Sequence, residues 1–542
     1  MRKATWWERG IIYEIYVRSF QDSNGDGIGD LEGIRSRLDY LSWLGVEAFW
    51  LTPIYPSPMK DFGYDVADYC SVDPLFGTIG DFDRLIEDAH RRGLRVILDF
   101  VPNHSSDRHP WFLESRSSRN NPKRDWYIWR DAKKDGSPPN NWLSNFGGSA
   151  WEWNEQTGQY YYHAFLKEQP DLNWRNPDVR AAMHDVLRFW LGRGVDGFRV
   201  DVLWHLMKDP AFRDNPPNPA YEPNQPEIER FLQVHSADHP DIHRVVAEMR
   251  KLFDDYRDRV LIGEIYLPVE RLVAYYGKEE GGAHLPFNFQ LLQTPWNARM
   301  LARVVKEYDG IIPDEHWPNW VLGNHDKPRI AARIGAPQAR VAAMLLLTLR
   351  GTPTLYYGDE IGIGQVPIPI ERVQDPWERN EPGLGLGRDP QRTPMQWDAS
   401  PNSGFTTGMP WLPLSPVADN SNVATLAKDR ASILSLYRRL IALRQRHAAL
   451  TIGRYRPLEF SGGAELLAYE RWLASSRFVI VLNFGGSEQA AESNAFAGCF
   501  VAISTHGDHQ GEPIGQRLEL RPNEGVVLRA PLQQGWPRIH EG

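Results

Sequence analysis

The chain has 542 residues, of which 42% are hydrophobic and 24% charged, as is typical of a globular protein with more than one domain. Its formal net charge is −9 and it has no Lys/Arg-rich run, so we expect no nucleic-acid partner. Cys70 and Cys499 give neither a metal-ligand spacing nor a disulfide framework. We find no signal-peptide pattern and no bilayer-length apolar stretch, so we predict a cytoplasmic protein without membrane contacts.

Short apolar runs alternate with amphipathic helical patterns over most of the chain, as expected for parallel strands buried on both faces. The predicted strands are Ile11–Ser19, Val46–Leu51, Arg95–Val101, Val195–Asp201, Val260–Tyr266, His284–Phe289, Trp320–Leu322 and Thr352–Tyr357. The predicted helices include Phe82–Arg92, Arg180–Gly192, Gln338–Leu349 and Ser432–His447. Repeated strand–helix alternation predicts an α/β fold, namely a (β/α)8 TIM barrel.

Two parts of the sequence depart from a plain barrel. Residues 105–172, after the third strand, are rich in Trp, Asn, Gly and Pro and predict an irregular inserted domain, domain B. Residues 210–226 read as a long loop over the same barrel face. Residues 452–542 alternate short strands with turns, which predicts a C-terminal antiparallel β-sandwich domain. The catalytic barrel, domain A, then comprises residues 1–104 and 173–451.

Carboxylates follow three predicted strands at their C-terminal ends, where barrel enzymes hold their reactive groups. They are Asp201, Glu264 and Asp326. Cleavage of a glycosidic bond needs one ionised and one protonated carboxyl group. Arg199 points to the same side of its strand as Asp201, so we expect it to keep Asp201 ionised as the nucleophile. Glu264 lies among apolar residues, so we expect a raised pKa that suits a general acid.

Several segments together carry a family resemblance. Asp99–His104, Gly197–Val202, Gly263–Glu264 and Asn324–Asp326 resemble the signature regions of the α-amylase superfamily, glycoside hydrolase family 13. Gln169–Asn173, Gly351–Glu360 and Arg392–Trp397 resemble its oligo-1,6-glucosidase and bacterial α-glucosidase branch. The resemblance extends from Trp7 to about Arg446. It implies a retaining, exo-acting α-glucosidase that releases α-glucose from the non-reducing ends of short α-glucosides.

The resemblance also implies the roles of individual residues. Asp201 would be the nucleophile, Glu264 the acid/base and Asp326 the transition-state stabiliser. The implied substrate-binding residues are Asp61, Tyr64, His104, Phe165, Gln169, Arg199, Val202, His325 and Arg392. Asp61 and Arg392 would form an ion pair behind the glucose, and Tyr64 would stack on it. Simple packing explains Phe165 equally well. A valine directly after the nucleophile, as at Val202, is similar to the enzymes of this branch that favour α-1,6 links. We expect a broad α-glucosidase with some α-1,6 capacity.

The loop at residues 22–30 carries oxygen-bearing side chains at every second position, followed by a glycine turn. This spacing can wrap a hard cation, and the alternative is an Asx-rich turn without a metal. The resemblance favours a structural calcium or magnesium ion, held by the side chains of Asp22, Asn24, Asp26 and Asp30 and the carbonyl of Ile28. We expect no organic cofactor.

Two alternatives to hydrolysis exist on the same fold. A transglucosidase or an isomerase, such as a sucrose isomerase or trehalose synthase, would use the same carboxylates, and the sequence does not separate these activities. Animal amino-acid transporter heavy chains resemble this fold, but they need a transmembrane helix and tolerate the loss of the carboxylates. This sequence predicts no such helix and retains all three carboxylates, so a non-catalytic transporter-associated role is disfavoured. The expected partner is a small oligosaccharide or disaccharide, and the expected assembly is a monomer or homodimer.

Overall fold

A computed structural model describes residues 4–277, 281–416, 418 and 420–531. The ends of the predicted barrel and C-terminal domains, residues 1–3 and 532–542, lie outside the described residues. In chain order the strands are β1 (Ile12–Ile15), β2 (Ala48–Leu51), β3 (Arg95–Phe100), β4 (Trp129–Arg130), β5 (Trp151–Asn154), β6 (Gln159–Tyr162), β7 (Gly197–Val200), β8 (Val260–Gly263), β9 (Leu285–Pro286), β10 (Asn319–Val321), β11 (Thr352–Tyr356), β12 (Arg454–Pro457), β13 (Ser461–Gly462), β14 (Leu466–Leu473), β15 (Ser476–Asn483), β16 (Gln489–Glu492), β17 (Phe500–Ser504), β18 (Arg517–Leu520) and β19 (Gly525–Arg529).

The helices alternate with the barrel strands. They are α1 (Trp6–Arg9), α2 (Val17–Phe20), α3 (Leu31–Ser36), α4 (Leu38–Leu44), α5 (Ile79–Arg91), α6 (Pro110–Ser115), α7 (Pro177–Gly192), α8 (Ile242–Asp254), α9 (Val269–Val273), α10 (Gln290–Gln293), α11 (Ala298–Ile311), α12 (Ile330–Ile334), α13 (Ala336–Thr348), α14 (Pro376–Asn380), α15 (Val423–Leu426), α16 (Ile433–Arg446) and α17 (Ala448–Thr451). Short 3-10 helices occupy Arg124–Trp126, Leu203–His205, Glu227–Arg230, Ala274–Tyr276, Asp359–Ile361, Ile370–Arg372, Asp389–Gln391 and Pro401–Gly404. Among the described residues, no helix combines the length and the apolar character needed to span a membrane.

A parallel sheet of eight strands forms the centre of the described structure, in the order β10-β11-β1-β2-β3-β7-β8-β9. The strands β1, β2, β7 and β8 are buried along their whole length, as their continuous apolar character predicts. The sixth predicted strand is present as the two-residue β9. This near-closed sheet with its surrounding helices confirms the predicted (β/α)8 barrel.

The predicted first strand is too long. β1 ends at Ile15, and the chain then turns into the short helix α2, where Ser19 N–H donates to the Tyr16 carbonyl. The side chain of Thr52 accepts from Val17 N–H and holds this turn at the end of β2. An apolar run alone does not distinguish a strand from a buried helical turn.

The predicted helices are present, and local capping explains where they begin. Helix α5 starts after Thr78, whose side chain accepts from Asp81 N–H while the Asp81 carboxylate accepts from Thr78 N–H. Helix α7 starts after Asn176, which caps it, with Pro177 in the first turn. These helices cover the sheet and fix the strand ends that carry the polar residues.

Residues 105–172 are more regular than predicted. They contain helix α6 and an antiparallel sheet in the order β4-β6-β5. The strands have two to four residues, which is too short to give a clear alternating pattern in the sequence. The backbone of this segment returns to the barrel through a bridge between His104 and Asp171.

The C-terminal region is antiparallel, as predicted. One sheet has the strand order β12-β14-β15-β19-β17 and a second has the order β13-β16-β18. Buried side chains such as Val481, Leu518 and Leu528 fill a core of their own in this region. The predicted β-sandwich is therefore confirmed, while the exact domain boundaries stay predictions.

Candidate active site

A cavity of about 570 Å³ opens at the C-terminal ends of the barrel strands. Its lining includes nine of the predicted site residues, namely Asp61, Tyr64, His104, Phe165, Asp201, Val202, Glu264, His325 and Asp326. We call these residues, together with Arg388, the inner end of the cavity. Three further predicted residues, Gln169, Arg199 and Arg392, are at most 1% exposed and lie directly behind this lining.

Arg199 lies between Asp201 and Glu264, the two carboxylates predicted to be nucleophile and acid/base. Its Nη1 donates to Asp201 Oδ1 over 2.7 Å, and its Nη2 lies 2.7 Å from Glu264 Oε2. The same guanidinium also contacts Asp99 Oδ1 at 2.9 Å. Because one planar group bonds an oxygen of each carboxyl, it fixes Asp201 and Glu264 side by side.

Arg199 favours ionisation of Asp201, in the predicted direction, but its guanidinium is shared with Glu264 and Asp99. Burial raises the pKa of the Asp201 carboxyl well above its ordinary value, and the charges of Glu264 and Asp99 add to the effect while Arg199 opposes it. Burial also raises the pKa of Glu264, as predicted. Two neighbouring carboxyls with raised pKa values titrate together, so the pair favours holding one proton.

Val202 places a backbone donor on Glu264. Its φ of 36° is left-handed, which is rare for a β-branched residue. In this conformation Val202 N–H donates to Glu264 Oε2 over 2.8 Å. One oxygen of Glu264 is therefore held by both Arg199 and the Val202 backbone, and the carboxyl is fixed at the cavity wall.

Asp326 is the ionised carboxylate of the inner end. Burial opposes ionisation, but the charges of Arg388 and Arg392 lower the pKa of Asp326 far below its ordinary value. Arg392 Nη2 donates to its Oδ1 over 2.9 Å. His325 lies beside it and is stacked on the Tyr64 ring, with centroids 5.4 Å apart. A fixed negative charge at this point suits the binding of sugar hydroxyls and a developing positive charge.

The partner of Asp61 differs from the predicted one. Arg388 Nη2 donates to Asp61 Oδ1 over 2.7 Å, whereas Arg392 bonds Asp326 and the carbonyl of His325. Arg388 also bonds Asp375, so it links the inner end to the loop that follows β11. The ion pair that closes the cavity is present, but Arg388 rather than Arg392 supplies its cation.

His104 and Gln169 hold the inserted-domain side of the inner end. Gln169 Nε2 lies 3.2 Å from both Asp61 Oδ2 and His104 Nε2. Phe165 packs against His104, with ring centroids 5.2 Å apart, and also lines the cavity. Phe165 therefore both packs against a neighbouring ring and lines the cavity.

The loop at residues 22–30 forms a series of Asx turns. Asp22, Asn24 and Asp26 each accept the backbone N–H two residues further on. Asp30 caps helix α3 and also accepts from Ser23. Within the described part of the chain, no three His, Cys, Asp or Glu side chains are grouped to hold a metal ion. The oxygen donors suit a hard cation in kind, and the metal stays a prediction.

The α-amylase catalytic-domain family matches residues 14–453 of this sequence. The chain belongs to this family. It is 41% identical to a probable alpha-glucosidase of Rhizobium meliloti over 505 residues, covering 90% of each chain. It is 38% identical to the oligo-1,6-glucosidase of Parageobacillus thermoglucosidasius, covering 98% of this chain and 100% of the relative. The solved structure of the alpha-glucosyl transfer enzyme XgtA matches with a TM-score of 0.93 and 38% identity, over 98% of this chain and 100% of that chain.

Several residues of this α-amylase-family site were missed by sequence reasoning. Arg388 lies in a loop without periodicity. The only signal for it in the sequence is that it lies four residues before Arg392, the arginine predicted for this role. Glu14 and Asp99 hold His325 and Arg199 from below, at 2.6 and 2.9 Å. We call ten exposed or half-exposed residues of the lining the mouth, namely Ile228, Glu229, Leu232, Gln233, Val234, Asp238, Arg271, Gln293, Lys327 and Trp377.

Proposed function

We propose that this protein is a retaining, exo-acting α-glucosidase that releases α-glucose from the non-reducing ends of short α-glucosides. The observation that carries the proposal is Arg199 bonding both Asp201 and Glu264 beside the ionised Asp326. A shared guanidinium favours the short carboxyl separation of retaining enzymes, about 5–5.5 Å, over the wider one of inverting enzymes. The Asp61–Arg388 pair supports exo action, because it would block a longer chain behind the first glucose.

The reaction would proceed by double displacement. Asp201 attacks the anomeric carbon while Glu264 donates its proton to the leaving oxygen, which gives a glucosyl–Asp201 ester. Glu264, now ionised, takes a proton from water, and that water releases α-glucose and restores Asp201. Asp326 binds the sugar hydroxyls and stabilises the positive charge of the transition state. Maltose, isomaltose-type sugars and sucrose are the proposed substrates, with some α-1,6 capacity.

Proton NMR of the first product tests the proposal. The expected result is α-glucose at early times, followed by mutarotation to the β-anomer. Initial β-glucose, or full activity in Asp201→Ala, would overturn it. An experimental structure with the two carboxyls about 9 Å apart would also contradict retention.

A second candidate is glucosyl transfer or isomerisation at the same site, with a sugar instead of water as the acceptor. It is favoured by the likeness to the alpha-glucosyl transfer enzyme XgtA and by apolar residues at the mouth, where Leu232 is 42% and Val234 47% exposed. Incubation with maltose, isomaltose, sucrose and trehalose, with every product identified, separates the two. Free glucose as the main product supports hydrolysis, whereas new disaccharides support transfer.

We further propose that the loop at residues 22–30 binds calcium or magnesium in a structural role. The side chains of Asp22, Asn24, Asp26 and Asp30 and the Ile28 carbonyl would hold the ion. It would tie the end of α2 to residues 404–411, since Thr406 already bonds Asp22. Free Cys70 and Cys499 support a reducing, cytoplasmic location, and gel filtration would test a monomer against a homodimer.

A further inference from the structure

Glu14 on β1 is a buried carboxyl that the proposed reaction does not use. It is 0% exposed, and its Oε2 has no hydrogen-bond partner among the described residues. Its Oε1 lies only 2.6 Å from Nδ1 of His325, which lines the inner end of the cavity. A buried carboxyl with one empty oxygen is costly unless it carries no charge.

The positions of the hydrogens near Glu14 follow from Asp99. Asp99 is paired with Arg199 at 2.9 Å and therefore acts as an acceptor. The single hydroxyl hydrogen of Tyr64 is donated to Asp99 Oδ2 over 3.0 Å. The same Tyr64 oxygen lies 2.9 Å from Nε2 of His325, so it must accept a hydrogen from that nitrogen.

His325 then has no hydrogen to give to Glu14. Burial lowers the pKa of His325 well below its ordinary value, and Arg392, Arg199 and Arg388 add to the effect while Asp326 opposes it, so the ring is neutral with one N–H. Because that hydrogen lies on Nε2, Nδ1 is an acceptor. A 2.6 Å contact between Nδ1 and Glu14 Oε1 therefore needs a hydrogen from the carboxyl. The His325 backbone N–H lies 3.4 Å from the same oxygen, a long contact that a hydroxyl oxygen can accept.

The surroundings of Glu14 also favour the neutral acid. Burial raises the pKa of Glu14 well above its ordinary value, and the charges of Asp326 and Asp99 add to this while Arg199 opposes it. An ionised Glu14 would need an imidazolium at His325. Asp326, 3.5 Å from Nε2, would favour that cation, but the burial of the ring and the charges of Arg392, Arg199 and Arg388 oppose it.

We propose that Glu14 is a positioning residue that, as an uncharged carboxylic acid, donates its hydrogen to Nδ1 of His325 and so keeps the ring neutral with its N–H on Nε2. That nitrogen lies 3.5 Å from Asp326 Oδ2 at the inner end. Its hydrogen is donated to the Tyr64 oxygen, and the neutral ring thereby holds Tyr64 at the inner end without adding a charge. The effect on catalysis rests on the proposed function, whereas the tautomer of His325 can be measured in the resting protein.

Nitrogen-15 NMR of histidine-labelled protein tests the hydrogen positions directly, with the His325 signals assigned by their loss in His325→Gln. We expect a protonated Nε2 and an unprotonated Nδ1 that accepts a strong hydrogen bond. Glu14→Gln should keep both the spectrum and kcat, within about threefold, because its amide N–H replaces the carboxyl hydrogen. A hydrogen on Nδ1, or on both nitrogens, would overturn the proposal.

Kinetics then test the positioning role. Glu14→Leu removes the donor, and kcat should fall on the order of 10²-fold with a smaller change in KM, because the ring is no longer held for the transition state. A wild-type kcat in a folded Glu14→Leu protein would contradict the role. If this variant does not fold, the wild-type spectrum and Glu14→Gln still decide the matter.

Glu360 offers a matched control. It is also a buried barrel glutamate, but it accepts hydrogen bonds from Tyr13 and Tyr40 instead of contacting His325. Glu360→Gln should leave the His325 spectrum and kcat unchanged, and an equal change would show that the effect is not specific to Glu14. Failure of the wild-type protein to release glucose from any of the four disaccharides would contradict the proposed function while leaving the NMR result intact.

Discussion

The inner end of the cavity is held by buried ion pairs, whereas the mouth is formed by loops and short helices. At the inner end, Arg199 bonds Asp99, Asp201 and Glu264, and Arg388 bonds Asp61 and Asp375. Each of these groups is buried. Removing any one of them would leave a buried charge without its partner, which is strongly destabilising.

Segments that are far apart in sequence meet beside the mouth. Glu227 N–H donates to Glu381 Oε1 over 2.8 Å, and Glu227 Oε2 accepts from Gly148 N–H over 2.9 Å. Asp238 bonds Arg271 and Tyr275 across to the neighbouring loop. Such contacts at half-exposed sites contribute less than buried pairs. The difference indicates that the inner end fixes the chemistry on the glucose, while the mouth is free to adapt to different acceptors.

The largest expected effect comes from Asp201, the proposed nucleophile. Asp201→Asn keeps the shape of the inner end but removes the attacking oxygen charge, so kcat should fall on the order of 10⁴-fold or more. The measurement is glucose release from maltose, with thermal unfolding to show that the protein is folded. Asp68, which is exposed, gives the control Asp68→Asn with unchanged kcat. A tenfold loss or less in Asp201→Asn would place the nucleophile elsewhere.

The second largest effect is expected when Arg388 is removed. Arg388→Ala leaves the buried Asp61 and Asp375 without their cation, at a cost of about 3–5 kcal/mol in the free energy of unfolding. We expect kcat/KM to fall on the order of 10²-fold, mainly through KM, because the wall behind the glucose is lost. Denaturant unfolding and initial rates measure the two effects.

Arg372, an exposed cation on the same loop, gives the matched control Arg372→Ala, which should change neither quantity. If Arg388→Ala behaves like this control, the inner end does not depend on the Asp61–Arg388 pair. In that case, the contrast between a rigid inner end and an adaptable mouth would no longer hold.

Residues at strand ends could be predicted from the sequence, whereas contacts made by loops could not. Asp201, Glu264 and Asp326 follow strands, and every strand of a barrel delivers its C-terminal end to one face, so their convergence follows from the pattern alone. Arg199 was placed correctly for the same reason, since residues two apart share a side of a strand. The bonds of Arg199 to Glu264 and Asp99 could not be predicted, because these residues lie far from it in sequence.

Contacts made by loops could not be predicted. Arg388 reaches Asp61 through a loop whose path has no periodic pattern, and an arginine four residues away was assigned in its place. Glu14 lies within a strand that appears apolar, so nothing in the sequence indicates that it faces His325. The short strands β4, β5 and β6 were missed because segments of two to four residues carry little alternation.

A smaller effect is expected at the mouth. Asp238→Ala removes the contacts to Arg271 and Tyr275 and loosens the loop that carries Leu232 and Val234. The ratio of transfer to hydrolysis at high maltose should fall roughly threefold, because an acceptor sugar needs an ordered wall more than water does. Hydrolysis itself should change less than about twofold. Quantitative product analysis measures the ratio.

Asp241 provides a control on the same loop, where it pairs with Arg175 away from the cavity lining. Asp241→Ala should leave the product ratio unchanged. An unchanged ratio in Asp238→Ala as well would show that this loop does not order the acceptor. A large loss of hydrolysis would instead mean that the mouth contributes to the chemistry itself.

The smallest effect on catalysis is expected from the loop at residues 22–30, which lies outside both regions. If it binds calcium or magnesium, a chelator should lower Tm by a few degrees, because a ligand at 100 times its Kd stabilises by about 2.7 kcal/mol. The initial kcat should not change, since none of these side chains lines the cavity. Asp22→Ala should abolish the Tm response to added calcium, with Asp39→Ala, an exposed carboxylate on α4 outside the loop, as its control. If a chelator abolished kcat without lowering Tm, the ion would belong to the catalytic site. If Tm were identical in chelator and in calcium, the loop would not bind a stabilising ion.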